Sequence, residues 1–123
     1  MAFMTANTST HTAQALASHR WSELNTRDFA TLDPARTVAV LPLGATEQHG
    51  PHLPVSTDTS IMNGMLETVI ARLPDDLEIR ILPVQSVGKS NEHVHAPGTL
   101  TLTAPMSGAT LALILGDPPS IVA

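Results

Sequence analysis

Apolar residues recur at intervals of three and four between positions 61 and 73, which is the strongest pattern in the chain. This spacing places them along one stripe of a helix, and such a stripe is typical of a helix that packs against a core. We predict a helix that begins near Thr57 or Asp58, either of which caps its first turn, and that ends at Pro74. The apolar positions are Ile61, Met62, Met65, Leu66, Val69, Ile70 and Leu73.

Two short apolar runs flank this helix, and both are predicted to be β-strands. The first, Thr37–Leu43, is apolar on both faces, which is typical of a buried central strand covered by helices on each side. The second is Glu78–Val84. A strand, a long helix and a strand form a βαβ unit, and such units produce parallel sheets. The pattern therefore predicts an α/β fold with a parallel sheet.

The chain divides into an arm, one domain and a tail. Residues 1–19 are rich in Ala, Ser and Thr, with little to bury, and we interpret them as a loose arm. Residues 20–115 carry the strand and helix patterns. At 123 residues the chain is long enough for one ordinary domain and too short for two. Residues 116–123 begin with a Gly-Asp-Pro-Pro run and are predicted to be a disordered tail.

Two further helical segments are predicted on either side of the βαβ unit. Residues 20–32 show helical turns, and either Asn25 or Thr26 caps the second of them. Residues 104–115 are predicted to begin a helix with Thr103 as the cap, since the proline in the first turn is tolerated there.

The composition argues against several kinds of binding partner and several cellular locations. The net charge of -5 argues against nucleic acid or an anionic membrane as a partner. The absence of cysteine excludes disulfides and thiolate metal ligands. No apolar run reaches the length of a membrane span, and residues 1–19 lack the basic and apolar regions of a secretory signal. We therefore expect a cytoplasmic protein.

Polar side chains with metal-binding chemistry are concentrated in the loop after the first predicted strand. Glu47, His49, His52 and Asp58 lie within residues 44–58. Carboxylate oxygens and imidazole nitrogens are the ligands that zinc, manganese and iron prefer where no thiolate is present. Glu47 and His49 are two positions apart, so both side chains point the same way in an extended loop. Two interpretations stay open from the residues alone: a metal site, or a polar loop with a helix cap.

A second polar loop, residues 85–99, follows the second predicted strand. In a parallel sheet both loops leave the same edge, so we expect their side chains to meet. Glu92 and His93 either contact a substrate or support the metal ligands, or they belong to a solvated loop. In the first loop, His52 is interpreted as a residue that packs the loop or supports the ligands.

Two motifs carry a resemblance to a known family. The first is Gly44-Ala-Thr-Glu-Gln-His-Gly-Pro-His-Leu-Pro54 with Thr57-Asp58, and the second is Gly88-Lys-Ser-Asn-Glu-His93 with Pro97-Gly98-Thr99. Together with Trp21-Ser-Glu-Leu24 they resemble the creatininase family, which contains creatinine amidohydrolase and its relatives. Members of that family are α/β/α sandwiches. The resemblance therefore implies a partial three-layer α/β/α sandwich with a parallel sheet.

The resemblance also implies a hydrolase with a two-metal site that holds zinc or manganese. A hydroxide held by the metals would attack a non-peptide C–N bond of a small cyclic or formyl amide. Relatives of full length are commonly homo-oligomers. The implied metal ligands are Glu47, His49 and Asp58, with Asp58 as the bridge between the metals. The residues expected to contact substrate or to support the ligands are His52, Ser90, Glu92 and His93.

One alternative stands beside this function. In the family, later segments supply further metal ligands and the proton-transfer residue, and neither segment is present in this sequence. The resemblance ends from Pro105 onward. The catalytic residue is therefore unknown, and the alternative is a truncated, catalytically inactive remnant of such an enzyme. The motifs do not choose the substrate, because the family spans creatinine, formylamino-pyrimidine intermediates and modified peptides.

Overall fold

The computed structural model describes residues 18–115. The predicted arm at 1–19 lies outside these residues except for its last two positions, and the predicted tail at 116–123 lies outside them entirely. The described chain contains α-helices, a pair of strands and short 3-10 turns. In order, the elements are the turn Trp21–Glu23, α1 (Thr26–Thr31), β1 (Val38–Val40), α2 (Thr57–Ile70), β2 (Ile79–Ile81), the turn Asn91–His93 and α3 (Ala104–Leu115).

β1 and β2 form a parallel two-stranded sheet, in which Val38 lies opposite Ile79 and Val40 lies opposite Ile81. The connection between the strands contains α2, so the predicted βαβ unit is confirmed. This arrangement is consistent with part of an α/β creatininase-like fold, as the sequence predicted. The sheet places the loops that follow both strands at one edge.

Both strands are shorter than the sequence pattern predicts, with three residues each. Pro42 lacks the backbone N–H group that would extend the ladder beyond β1. Parallel pairing resumes between Leu43 and Gln85, where the Gly44 N–H donates to the Gln85 carbonyl at 2.9 Å. The two segments therefore stay side by side as they leave the sheet.

The N-terminus of α2 differs from the prediction. Its N-cap is Ser56, which makes no side-chain capping bond. Thr57 Oγ1 instead donates to the Pro54 carbonyl at 2.6 Å, and Asp58 Oδ1 faces His49 Nε2 at 3.0 Å. The prediction of Thr57 or Asp58 as the cap was wrong, because a contact with another part of the chain engages the Asp58 carboxylate.

The C-terminus of α2 is also earlier than predicted. The helix ends at Ile70, and the chain then tightens into bonds between residues three apart. Arg72 N donates to the Val69 carbonyl at 2.9 Å, and Leu73 N donates to the Ile70 carbonyl at 3.2 Å. Pro74 follows this tightened turn, so it marks the end of the helical region rather than the last residue of α2.

The apolar core of the described residues is small. Its buried hydrophobic side chains are Leu66, Ile81 and Leu82. Val38 of β1 is 55% exposed, and Met65 of α2 is 58% exposed. The prediction that β1 is buried on both faces was therefore wrong for this structure. Within residues 18–115 the main packing partner of β1 is β2, and Val38 and Val40 stay exposed.

Capping hydrogen bonds at their first turns explain where α1 and α3 begin. At α1, Asn25 Oδ1 accepts from Asp28 N at 3.3 Å and Asp28 Oδ2 accepts from Asn25 N at 2.8 Å. This reciprocal capping box selects Asn25 over Thr26 as the cap. α3 begins as predicted, with Met106 N donating to Thr103 Oγ1 at 3.4 Å. None of the helices within residues 18–115 has both the length and the apolar character needed to cross a membrane.

Candidate metal centre

The loop after β1 (residues 44–58) and the loop after β2 (residues 85–99) are bonded to each other at the edge of the sheet. Thr46 Oγ1 donates to the Ser86 carbonyl at 2.8 Å. On the other side of the same residue, the Thr46 carbonyl accepts from Leu100 N at 2.9 Å. The predicted meeting of the two loops is therefore confirmed.

A close approach at Gly44 brings the start of α2 against the first loop. A Cβ atom placed on Gly44 would lie 2.9 Å from Thr59 Oγ1 and 3.3 Å from Thr59 Cα, so a larger residue would clash. Thr59 Oγ1 donates to the Ala45 carbonyl at 3.2 Å. Because Asp58 directly precedes Thr59 in the first turn of α2, this contact carries the Asp58 carboxylate to the loop.

The three predicted metal ligands lie together. One ligand atom from each of Glu47, His49 and Asp58 lies within 4.8 Å of the others. The side chains of Glu47, His49 and Asp58 are 16%, 22% and 36% exposed, so the group is reached from solvent but partly buried. Glu47 N donates to the Val55 carbonyl at 3.0 Å, which holds the ligand loop in place. Two carboxylates and an imidazole are suited to a divalent cation.

The ring of His49 lies between a backbone carbonyl and a carboxylate. His49 Nδ1 is 3.0 Å from the Glu47 carbonyl oxygen, and His49 Nε2 is 3.0 Å from Asp58 Oδ1. A carbonyl oxygen can only accept a hydrogen bond, so Nδ1 carries the hydrogen. In the neutral ring, Nε2 then presents a lone pair to the carboxylate of Asp58, which also offers only lone pairs.

Two acceptors at this distance need a proton or a cation between them. A proton on Nε2 would satisfy both acceptors, and accordingly the pKa of His49 is raised above its ordinary value. The main cause is the bond to the Glu47 carbonyl; Asp58 adds to the increase, while burial opposes it. Histidines that bind metals characteristically donate their other ring N–H to a carbonyl or carboxylate. The arrangement of His49 therefore fits a metal ligand.

A second group of candidate ligands shares Glu47 with the first. One ligand atom from each of Glu47, Glu92 and His93 lies within 4.8 Å of the others. His93 Nε2 is 3.8 Å from Glu47 Oε1. Glu47 is thus the carboxylate common to both groups, whereas the sequence resemblance implies Asp58 as the bridge between two metals. The bridging role of Asp58 stays a prediction.

The other two predicted residues, Ser90 and His52, lie outside both ligand groups. Ser90 is 1% exposed. Its N–H donates to Thr101 Oγ1 at 2.9 Å, and its carbonyl accepts from His93 N at 3.1 Å. Ser90 therefore supports the turn that presents His93. His52 is exposed, and its ring lies beside Gly50.

The sequence motifs predicted no role for Gln48, yet its side chain joins the two loops. Gln48 Oε1 accepts from Gly50 N at 2.9 Å, and Gln48 Nε2 lies 3.0 Å from His93 Nδ1. Its backbone N–H donates to Thr99 Oγ1 at 3.2 Å. Its position in the sequence did indicate such a role, because Gln48 lies between the predicted ligands Glu47 and His49 and its amide offers both a donor and an acceptor.

Comparison with protein families identifies the ancestry of this site. The family model described as Creatininase (creatinine amidohydrolase) matches residues 22–117. The chain belongs to the creatininase family. The matched range contains both ligand loops. It also extends past Pro105, so the expectation that the resemblance ends there was wrong. The family that the sequence indicated is confirmed.

Several curated proteins that are similar to this chain share one name, which is more specific than the family name. The chain is 41% identical over 86 residues to the mycofactocin precursor peptide peptidase of Mycobacterium tuberculosis (strain CDC 1551 / Oshkosh), which covers 65% of this chain and 34% of the relative. It is 37% identical over 83 residues to the protein of that name from Mycolicibacterium smegmatis, covering 66% and 34%. For Mycobacterium ulcerans the identity is 36% over 87 residues, covering 67% and 35%. No solved structure matches the chain significantly.

Two consequences follow for this creatininase-family chain. It spans 34–35% of the length of these curated relatives. The relatives are named as peptidases of a precursor peptide, so they do not support the expected non-peptide bond of a small cyclic or formyl amide.

Proposed function

We propose that this chain contributes the metal-binding loops of a creatininase-family amidohydrolase that cleaves a peptide C–N bond. The observation that carries the proposal is the pair of acceptors formed by His49 Nε2 and Asp58 Oδ1, 3.0 Å apart. His49 is already oriented by the carbonyl of Glu47, so its lone pair is directed before a metal arrives. Such an arrangement favours a cation at this position.

Glu47, His49 and Asp58 would hold the cation. A set of oxygen and nitrogen ligands accepts either zinc or manganese. A second cation, which the family resemblance implies for relatives of full length, would share a carboxylate of this group. Glu92 and His93 face the same site from the second loop, and they would contact the substrate or support Glu47.

A divalent cation, when bound, supplies a Lewis acid that polarises a carbonyl and lowers the pKa of water. The chain itself contributes orientation and charge. The Glu47 carbonyl holds the His49 ring in the required rotation, and the carboxylates of Glu47 and Asp58 offset the charge of the cation. Partial burial of Glu47 and His49 strengthens these interactions relative to bulk water.

A peptide is the proposed class of substrate. Three relatives that are 36–41% identical to this chain over 83–87 residues are named for a precursor peptide. Apolar side chains near the site are exposed, with Leu53 48% exposed and Leu100 52% exposed. Exposed apolar side chains of this kind could contact the side chains of an extended peptide.

Metal content of the purified chain tests the metal-binding part of the proposal. After loading with zinc or manganese and desalting, elemental mass spectrometry should find stoichiometric metal in the wild type. His49→Ala and Asp58→Asn should lose it. His95→Ala is the matched control, because His95 is exposed and lies in neither ligand group of the described residues. Equal retention in His49→Ala and His95→Ala, or no metal in the wild type, would contradict the proposal.

A chimaera tests the substrate. The aligned segment of the Mycobacterium tuberculosis relative is replaced by the segment of this chain, which keeps the rest of the relative intact. We expect the chimaera to cleave the mycofactocin precursor peptide, followed by mass spectrometry, and Asp58→Asn to abolish cleavage. Turnover of creatinine or a formyl amide without peptide cleavage would contradict a peptide substrate. A folded chimaera without any activity would favour the inactive-remnant alternative.

A further inference from the structure

The orientation of the Gln48 side chain is fixed by the group that its oxygen faces. Gln48 Oε1 lies 2.9 Å from Gly50 N. A backbone N–H only donates, so the atom that faces it must be the amide oxygen. Gly50 has a positive φ of 76°, a left-handed conformation that glycine adopts without strain, within the turn that presents its N–H to Gln48. The amide nitrogen of Gln48 is therefore directed at the second loop.

That nitrogen determines where His93 carries its hydrogen. Gln48 Nε2 lies 3.0 Å from His93 Nδ1. An amide nitrogen can only donate, so Nδ1 of His93 accepts. A neutral imidazole whose Nδ1 accepts carries its hydrogen on Nε2. The N–H group of His93 consequently lies on the side of the ring away from Gln48.

The N–H group of His93 faces the predicted ligand Glu47. His93 Nε2 is 3.8 Å from Glu47 Oε1, and the two side chains are 29% and 16% exposed. This separation exceeds a direct hydrogen bond, and a small ring rotation or a bridging water would close it. In a partly buried site the attraction between an N–H dipole and a carboxylate is stronger than in bulk water.

Backbone contacts hold both members of this chain of bonds. Gln48 N donates to Thr99 Oγ1 at 3.2 Å, which ties the first loop to the second. His93 N donates to the Ser90 carbonyl at 3.1 Å, and Ser90 is buried. The two side chains therefore extend from fixed backbone positions.

We propose that Gln48 and His93 are a positioning pair for Glu47. Two hydrogen bonds run in one direction, from the Gly50 N–H to Gln48 and from Gln48 to His93, and they leave the Nε2–H of His93 facing the Glu47 carboxylate at 3.8 Å. The inference rests on the proposed role of Glu47 as a metal ligand. In the competing arrangement Glu47, Glu92 and His93 bind a second cation, which requires Nε2 of His93 without hydrogen. The two arrangements thus require opposite states of one nitrogen.

Long-range proton–nitrogen NMR of the histidine rings in the full 123-residue chain distinguishes these states. The His93 signals are assigned by their absence in His93→Gln. At a pH where the ring is neutral, we expect the hydrogen of His93 on Nε2, both before and after zinc is added. Zinc should coordinate Nε2 of His49. A hydrogen on Nδ1 of His93, or coordination of its Nε2 by zinc, would overturn the proposal.

Metal affinity gives a second readout that a purely structural role would not reproduce. Gln48→Met removes the amide with little change in volume, and we expect about tenfold weaker zinc binding, as is typical when the support of a ligand is lost. Gln85→Met is the matched control, because the Gln85 amide donates to the Val87 carbonyl at 2.8 Å. Equal weakening in both variants would overturn the proposal.

The replacement of His93 itself separates support from coordination. His93→Gln keeps an N–H donor and should retain more zinc affinity than His93→Leu. Equal loss in both would identify His93 as a ligand and overturn the proposal. If the wild type binds no zinc, the proposed metal function fails, whereas the hydrogen position on His93 in the metal-free chain still decides whether the positioning pair exists. Circular dichroism confirms that each variant is folded.

Discussion

At the scale of single residues, a proton and a metal ion compete for one nitrogen of His49. The ring is held by the Glu47 carbonyl through Nδ1, and its Nε2 faces Asp58 at 3.0 Å. The bond to the carbonyl uses Nδ1, so it is compatible with either cation at Nε2. The occupant of that space therefore depends on pH and on metal concentration together.

We expect the metal affinity to rise with pH through the pKa of His49. That pKa lies above its ordinary value of about 6.5, mainly because of the Glu47 carbonyl and further because of Asp58. Since the folded chain holds the proton more tightly than the unfolded chain, the charged ring stabilises the metal-free fold below the unfolded pKa. This contribution is lost as the pH rises through the raised, folded pKa.

An NMR titration of the His49 ring, together with zinc titrations at several pH values, measures both effects. Asp58→Asn should return the pKa of His49 part of the way to its ordinary value, because the Glu47 carbonyl remains bonded to the ring. A zinc affinity that is independent of pH across this range would contradict the assignment of His49 as a ligand.

Asp58→Ala should weaken metal binding more than His52→Ala. Asp58 contributes a carboxylate to the ligand group, whereas His52 is exposed and lies outside it. We expect a loss of at least about tenfold in affinity for the Asp58 variant, because loss of a ligand should cost no less than loss of its support. Isothermal titration with zinc or manganese measures the difference, and equal effects of the two substitutions would argue against Asp58 as a ligand.

The sequence predicted which residues form the ligand group, but it did not predict the hydrogen bonds around them. Side-chain types and the family motif identified Glu47, His49 and Asp58, which the structure brings together. The direction of the bonds at Gln48 could not be predicted, since it depends on the backbone turn at Gly50 and on a histidine 45 residues away. Residue types state which bonds are possible, and only the folded backbone selects among them.

At the scale of elements, the fit between α2 and the first loop positions the Asp58 carboxylate. The fit depends on the missing side chain at Gly44, whose position leaves a Cβ atom only 2.9 Å from Thr59 Oγ1. The one glycine within α2, Gly64, has no atom within 4 Å of a built Cβ. Packing therefore requires a glycine at position 44 but not at position 64, so the same substitution can be compared at the two positions.

Gly44→Ala should destabilise the chain by about 1–3 kcal/mol, the usual cost of overpacking, and should also weaken metal binding by displacing Asp58. Gly64→Ala should instead stabilise it, by up to about 1 kcal/mol, because alanine is the better helix former. Urea unfolding and zinc titration measure the two properties. Similar behaviour of the two variants would contradict the close approach at Gly44.

The periodicity of the sequence predicted which elements form but not where they end. The βαβ unit follows from a helical stripe between two apolar runs, and local propensity is enough to indicate it. Strand ends depend on ladder hydrogen bonds, which Pro42 interrupts. The cap of α2 depends on a contact between Asp58 and His49 from a different element, so local rules selected the wrong residue.

At the scale of the whole molecule, apolar surface remains exposed on α2 and β1. Ile61, Met65 and Val69 are 57%, 58% and 46% exposed along one face of α2. The sequence indicated that these positions belong to an apolar stripe, but a stripe does not reveal whether another element covers it. Whether a stripe is covered depends on the other elements of the fold. The sheet within the described residues has two strands.

We expect the folded chain to bind an apolar dye such as anilinonaphthalene sulfonate at this exposed surface. Met65→Lys should reduce dye fluorescence with little change in stability. Leu82→Ala should lower the free energy of unfolding by about 2–5 kcal/mol, because it removes a buried side chain; Leu82 is 8% exposed. Equal destabilisation by the two substitutions in urea would contradict the exposed position of Met65.

The bonds between the two ligand loops also set an order of events during folding. Thr46 and Ser86 are 40 residues apart in the chain, and Gln48 and Thr99 are 51 apart. Contacts of such separation close late, because the entropy of a long loop must be lost before they form. A helix such as α2 forms from neighbouring residues and can precede them. In stopped-flow refolding with a coloured metal ion, the helical signal should therefore appear before the metal signal, so that metal uptake reports the completion of folding.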